Sequence, residues 1–209
     1  MSVLGELQPN KVFKYFEEIC SIPHGSRNLQ QISDYLVDFA KAHELKYRQD
    51  EDLNVIIWKD GSKGYEASEP VILQGHMDMV AVKEADCDKD MEKEGLDLEI
   101  NGDYISAKGT SLGGDDGIAV AYTLAVLDDE EMAHPPIEAI FTVNEEIGML
   151  GAATIDVSDL KGRLFMNMDS EDEGVFTVSC AGGASVICKI PYETETVNAS
   201  VIEIKMTGF

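Results

Sequence analysis

The chain has 209 residues and a formal net charge of −24, from 16 Lys and Arg against 40 Asp and Glu. That length supports one ordinary domain, or one and part of another, and 44% hydrophobic with 27% charged residues excludes collagen-like, low-complexity and disordered chains. A surface this acidic repels nucleic acid and anionic lipid, and no apolar run reaches the ~20 residues needed to span a bilayer. Met1 to Glu6 does not read as a secretory leader. Cys20, Cys87, Cys180 and Cys188 lack Cys-x-x-Cys spacing and read as reduced thiols. A cytoplasmic protein with no nucleic-acid or membrane partner is therefore expected.

In chain order, Asn10 to Cys20 is predicted as a helix, with Val12, Phe13, Phe16 and Ile19 on one face. Pro23-His24-Gly25-Ser26 breaks it. A second helix is predicted after Asn28, where Ile32, Tyr35, Leu36, Phe39 and Ala40 recur at helical spacing. Asn54 to Trp58 reads as a buried strand and Gly61 to Pro70 as a polar loop. Val71 to Gln74 is a short apolar strand running into Gly75-His76-Met77-Asp78. Residues 83–95 read as an exposed charged loop, and Asn101-Gly102 between two alternating runs signals a hairpin. Gly113-Gly114-Asp115-Asp116-Gly117 opens a helix carrying Ile118, Ala121, Tyr122, Ala125 and Leu127. Pro135-Pro136 precedes a strand from Ile137 to Val143, which runs into Asn144-Glu145-Glu146. Leu164 to Met168 reads as a further apolar strand, ending at Asp169. Strands alternating with helices predict an α/β fold, a mixed and largely parallel sheet flanked by helices. Beyond Asp169 the pattern changes: Val175 to Ser179, Ala184 to Ile190 and Val201 to Met206 read as strands with no helix between.

Three apolar strands thus end in metal-capable residues: His76 with Asp78, Glu145 with Glu146, and Asp169. In an open parallel sheet, ligands gather at the carboxyl ends of the strands. In extended chain, residues two apart point the same way, so Asp78 can orient the His76 ring while a ring nitrogen ligates a metal. Glu145 and Glu146 stand side by side, read either as a solvated turn with both charges in water or as a pair that is unfavourable unless a cation compensates. One of them can bind metal while the other takes a proton from water. Acids at a helix start favourably oppose its dipole, which accounts for one of Asp115 and Asp116; read functionally, Asp115 bridges two cations. Asp86, Asp88 and Asp90 imitate half of a calcium loop, but Met91 stands where that loop needs Gly. His24, His43 and His134 have no metal-ligand spacing and read as structural or exposed.

Gly75 to Val80, Gly113 to Gly117, Asn144 to Gly148 and Asn167 to Glu171 resemble, in order and spacing, the motifs of the co-catalytic zinc peptidases of the aminoacylase and glutamate-carboxypeptidase group. Gly75 to Val80 and Leu150-Gly151-Ala152 resemble most the aminoacyl-histidine (Xaa-His, carnosinase-like) dipeptidase branch. The resemblance covers nearly the whole chain but only the first part of a typical member, and implies a zinc-exopeptidase-like fold. It further implies that His76 and Asp169 hold one zinc, Asp115 bridges, Glu146 holds the second, Asp78 orients His76, and Glu145 is general base and acid. A cis peptide after Asp115 is implied too. The metals would be two zinc ions, with cobalt or manganese as substitutes, and the substrate a small peptide. Family members carry a further His near the carboxyl terminus and a lid with a Gly-His-Ser-Gly-type segment; no His follows His134 here. The expectation is therefore an N-terminal fragment of impaired activity: residues 1–183 an incomplete catalytic domain, and residues 184–209 the start of a β-rich lid, through which members dimerise. The alternatives are a non-catalytic metal-binding module, or a related aminoacylase or tripeptidase.

Overall fold

The computed structural model describes residues 2–170 without interruption, then 174–179, 182, 186–196, 200, 202 and 204–205. The chain divides into two units, Met1–Glu171 and Asp172–Phe209. The first unit contains α1 (Asn10–Cys20), α2 (Gln30–Ala42), β1 (Lys46–Gln49), β2 (Val55–Lys59), β3 (Val71–His76), β4 (Leu98–Asn101), β5 (Tyr104–Ala107), α3 (Gly114–Leu127), β6 (Ile137–Thr142), α4 (Leu150–Thr154) and β7 (Leu164–Asn167). The sheet order is β1-β2-β6-β3-β7, and β4 pairs with β5 in a separate hairpin. The sheet is mixed: β1 with β2 and β2 with β6 are antiparallel, while β6, β3 and β7 are mutually parallel.

Alternation along the strands decides which face is thick. Val55 and Ile57 of β2, Leu73 of β3, and Ala139 and Phe141 of β6 join the large core with Phe16 and Ile19 of α1, Leu36 of α2, and Val120 and Leu124 of α3. Their intervening neighbours Ile56, Ile72 and Ile140 form a smaller cluster with Trp58, Ile155 and Leu160. This is the period of two of a pleated strand. Each fully buried Leu, Ile or Phe stabilises the fold by about 1.5–3 kcal/mol. Glu138 is a charged residue inside fully buried β6. Its carboxylate accepts the main-chain N–H groups of Lys161 (3.0 Å to each oxygen) and Gly162 (2.8 Å), which offsets the cost of burying it.

β7, predicted as an apolar strand, forms the edge of the sheet, with Leu164 59% and Phe165 56% exposed. One element departs from the sequence reading. The strand expected at Val175–Ser179 does not form. Those residues are irregular and exposed, and without a hydrogen-bonded neighbour an extended run is no strand. The strands expected at Ala184–Ile190 and Val201–Met206 lie partly outside the described residues, and their described parts are irregular. Cys20, Cys87 and Cys188 are free thiols, and Cys180 lies outside the described residues. Among the described residues, no helix is long and apolar enough to cross a membrane.

Candidate metal centre

Because β6, β3 and β7 are parallel neighbours, their carboxyl ends reach one rim of the sheet. His76 pairs with Thr142, and Gln74 with Asn167. Asp169 therefore follows its strand to the level of His76, and Glu145 lies three residues past the level of His76 on the other side. α3 delivers the fourth group to this rim. Its start packs directly on β3, where a Cβ on Gly75 would meet Asp116 Oδ2 at 2.9 Å and the Ala119 Cβ at 3.0 Å. Asp115 and Asp116 have non-helical backbone at the start of α3, and the peptide bond between them is cis.

His76 is the hub. Its Nδ1–H donates to the main-chain oxygen of Asp78 at 2.9 Å, with Asp78 Oδ1 at 3.5 Å. The nearer partner is thus the carbonyl rather than the carboxylate that the sequence suggested. Either way the contact turns Nε2 outward. Nε2 lies 2.9 Å from Asp115 Oδ1, 3.8 Å from Glu145 Oε2 and 4.0 Å from Asp169 Oδ2. Three sets of side chains each bring their donor atoms within 4.8 Å of one another: His76 with Glu145 and Asp169, His76 with Asp115 and Glu146, and Asp115 with Asp116 and Asp169. The sequence-derived residues His76, Asp115, Glu145, Glu146 and Asp169 thus meet at one place, and Asp78 sits behind the ring. Gly114, Asp115, Asp116, Ile118, Met168, Asp169 and Ser170 line an adjoining cleft of about 330 Å³. A larger cleft of about 910 Å³ beside Ser26 and Arg27 is lined by Lys and acidic residues such as Lys93 and Asp90, which pair with each other at 2.7 Å, and it contains none of these donor groups.

The electrostatics of the cluster are those of anions short of a cation. Burial pushes the His76 imidazolium pKa down, but the carboxylates of Asp78, Asp116 and Asp169 outweigh it and raise it to about 10. Burial pushes Asp116 up; His76 pulls it back, Asp169 and Asp115 push it further, and it reaches about 7. Glu145 and Glu146 are also raised, by burial first, with His76 opposing and neighbouring carboxylates adding to the rise. Asp78 is lowered. Burial opposes this, but His76, the Glu145 N–H and the Ser26 hydroxyl overcome it.

The donors fit divalent ions. Ligand atoms about 2.1 Å from one tetrahedral ion stand about 3.4 Å apart, and the separations from Nε2 bracket that value. One imidazole among carboxylates suits zinc, cobalt or manganese rather than a soft-metal site. Sequence reading missed two contributors. Asp116 was assigned no role, although it offers a donor beside Asp115 and Asp169 and accepts the His76 main-chain N–H at 3.1 Å. Its sequence signal was the doubled Asp itself. Ser26, which donates to Asp78 Oδ2 at 2.8 Å, carried no signal, because 52 residues separate the two.

Comparison with known proteins shows what the chain is similar to. No family model matches the chain. It is 38% identical over 207 residues to the cytosol non-specific dipeptidase of Escherichia coli K12, covering 99% of this chain and 43% of that protein. The crystal structure of aminoacylhistidine dipeptidase from Vibrio alginolyticus superposes with a TM-score of 0.79 at 40% identity, over 82% of this chain and 35% of that one. A tripeptidase from Staphylococcus aureus Mu50, at 23% identity and a TM-score of 0.65 over 80% of this chain and 45% of that one, shares the fold. The chain thus spans less than half the length of the relatives it matches. Over nearly all of its own length, it is a homologue of the cytosol non-specific and aminoacylhistidine dipeptidases.

Proposed function

We propose that this chain carries the metal site of a dipeptidase that hydrolyses small peptides of the Xaa-His type, with two zinc ions as the native metals. The observation that supports this most is the convergence of His76 Nε2 with carboxylates from the ends of β6 and β7 and the start of α3. In this reading His76 and Asp169 would hold one ion and Glu146 the other, with Asp115 a ligand to both; such ions, when bound, would polarise the peptide carbonyl and make a water more acidic. Glu145 supplies the proton transfers. Its carboxylate, made more basic than usual by burial and by Asp169, Glu146 and Asp78, takes a proton from the attacking water. As the C–N bond breaks, it passes that proton to the leaving amine. Asp78 fixes the ring of His76 and, through the Glu145 N–H, the main chain of the base itself.

Glu145→Gln, made in a protein that spans the full length of the relatives, tests the assignment. Dipeptide turnover should fall by about 10²–10⁴-fold, while zinc affinity stays within about threefold. Turnover within tenfold of the wild type would rule out Glu145 as the base. Stoichiometric metal binding by the 209-residue chain without dipeptide turnover would support the reading as a fragment that carries the metal site, whereas a chain that binds no divalent ion would contradict the proposal.

A further inference from the structure

Three donors approach Asp78, whose side chain is 0% exposed. The Glu145 main-chain N–H donates to Oδ1 at 2.9 Å, and His76 Nδ1 lies 3.5 Å from that same oxygen. Oδ2 receives the Ser26 hydroxyl at 2.8 Å. Ser26 is itself tied down on both sides. Its N–H donates to the Met79 carbonyl at 3.2 Å, beside the bridge between Gly25 and Met79. The next N–H, of Arg27, donates to Asn144 Oδ1 at 2.8 Å. The segment from Gly25 to Arg27 therefore stitches the chain leaving β3 to the chain leaving β6, and its one hydroxyl points at the carboxylate between His76 and Glu145.

We propose that Ser26 is a positioning residue for the metal centre: its hydroxyl holds the Asp78 carboxylate in the one orientation that keeps its charge beside His76 Nδ1 and fixes the main chain of Glu145. A buried carboxylate with a donor on only one oxygen is free to rotate toward another partner, and it pays for the missing hydrogen bond. Rotation of Asp78 would release the Glu145 N–H and move the charge behind His76. The serine thereby sets metal affinity without touching a metal. This inference rests on the metal-site reading above.

The test is zinc affinity of the 209-residue chain, measured by competition with a chromogenic chelator, for wild type, Ser26→Ala, Ser26→Thr and Ser33→Ala. Loss of a metal ligand's own hydrogen-bond partner costs about 10–100-fold in affinity; Ser26 acts through such a partner, so a loss at the lower end, about tenfold, is expected for Ser26→Ala. Ser26→Thr, which keeps the hydroxyl, should stay within about threefold. Ser33 is buried, and its hydroxyl donates to the Leu53 carbonyl at 2.7 Å, so Ser33→Ala removes a comparable buried bond outside the metal site and should leave zinc affinity unchanged. Ser26→Ala binding within threefold of wild type would overturn the proposal, as would an equal loss in Ser33→Ala, which would mark general loosening. If Ser26→Ala does not fold, Ser26→Cys keeps the shape with a weaker donor. It should bind several-fold less tightly, and wild-type affinity there would overturn the proposal. A wild-type chain that binds no divalent ion overturns the metal reading and this inference together; wild-type binding with Ser26→Ala unaffected overturns this inference alone.

Discussion

The two nitrogens of His76 face different oxygens, and that difference gives the ring its direction. Nδ1–H is committed to a main-chain carbonyl, which cannot take up a proton, so the lone pair available for a metal is on Nε2. His24 shows the opposite use of a buried imidazole. It is 2% exposed, and Nδ1 meets the Ile22 carbonyl at 2.6 Å. Burial lowers its pKa from the ordinary 6.5, against the pull of Ile22 and Asp78. Above that ordinary value the ring is neutral in both folded and unfolded chains. As pH falls through it, the unfolded chain takes a proton that the fold resists, so stability is lost until the lower folded pKa is reached. His24→Asn should therefore lose less unfolding free energy than wild type between about pH 7.5 and pH 5, measured by urea titration in the presence of chelator. Equal losses would contradict the assignment. Nothing in the sequence separated these two histidines except the strand before His76 and the Asp two residues after it.

At the scale of elements, the packing of α3 on β3 brings Asp115 and Asp116 to the rim. Gly75 permits that approach. A methyl group there would press on the Asp116 carboxylate and on Ala119, neither of which is the free end of a flexible side chain. Gly75→Ala should therefore cost about 1–3 kcal/mol, read from urea unfolding, and should weaken zinc binding. An unchanged midpoint together with unchanged affinity would show that the helix can shift without consequence. The elements that sequence reading recovered, α1, α2, β2, β3, the β4–β5 hairpin, α3 and β6, all carry an apolar period or a turn signal. Those it missed do not. β1 is Lys-Tyr-Arg-Gln, polar because it forms one edge of the sheet. α4 has five residues and begins after Met149, whose φ is +54°, too short for a helical period to be seen. β7 was found, but its place at the edge was not legible, because Leu-Phe-Met reads the same on an exposed edge as in a core.

For the whole molecule, the fold gathers like charges that a chain of net charge −24 would otherwise keep apart. The acids at the strand ends were legible because each follows an apolar run. Their convergence was legible only through the assumption of parallel strands, and the register of β6, β3 and β7 supplies it. Ser26 and the role of Asp116 were not legible, since contacts between distant segments leave no local pattern. Raised carboxyl pKa values and an imidazolium held protonated are the marks of a site that lacks positive charge, and divalent ions would supply it. Anomalous diffraction at the zinc edge from crystals of the zinc-loaded chain tests this most directly. Two peaks are expected about 3.5–4 Å apart, the first about 2.0–2.2 Å from His76 Nε2 and from Asp115, and the second sharing Asp115 with Glu146. No peak at the rim, or zinc bound only to other residues, would contradict it.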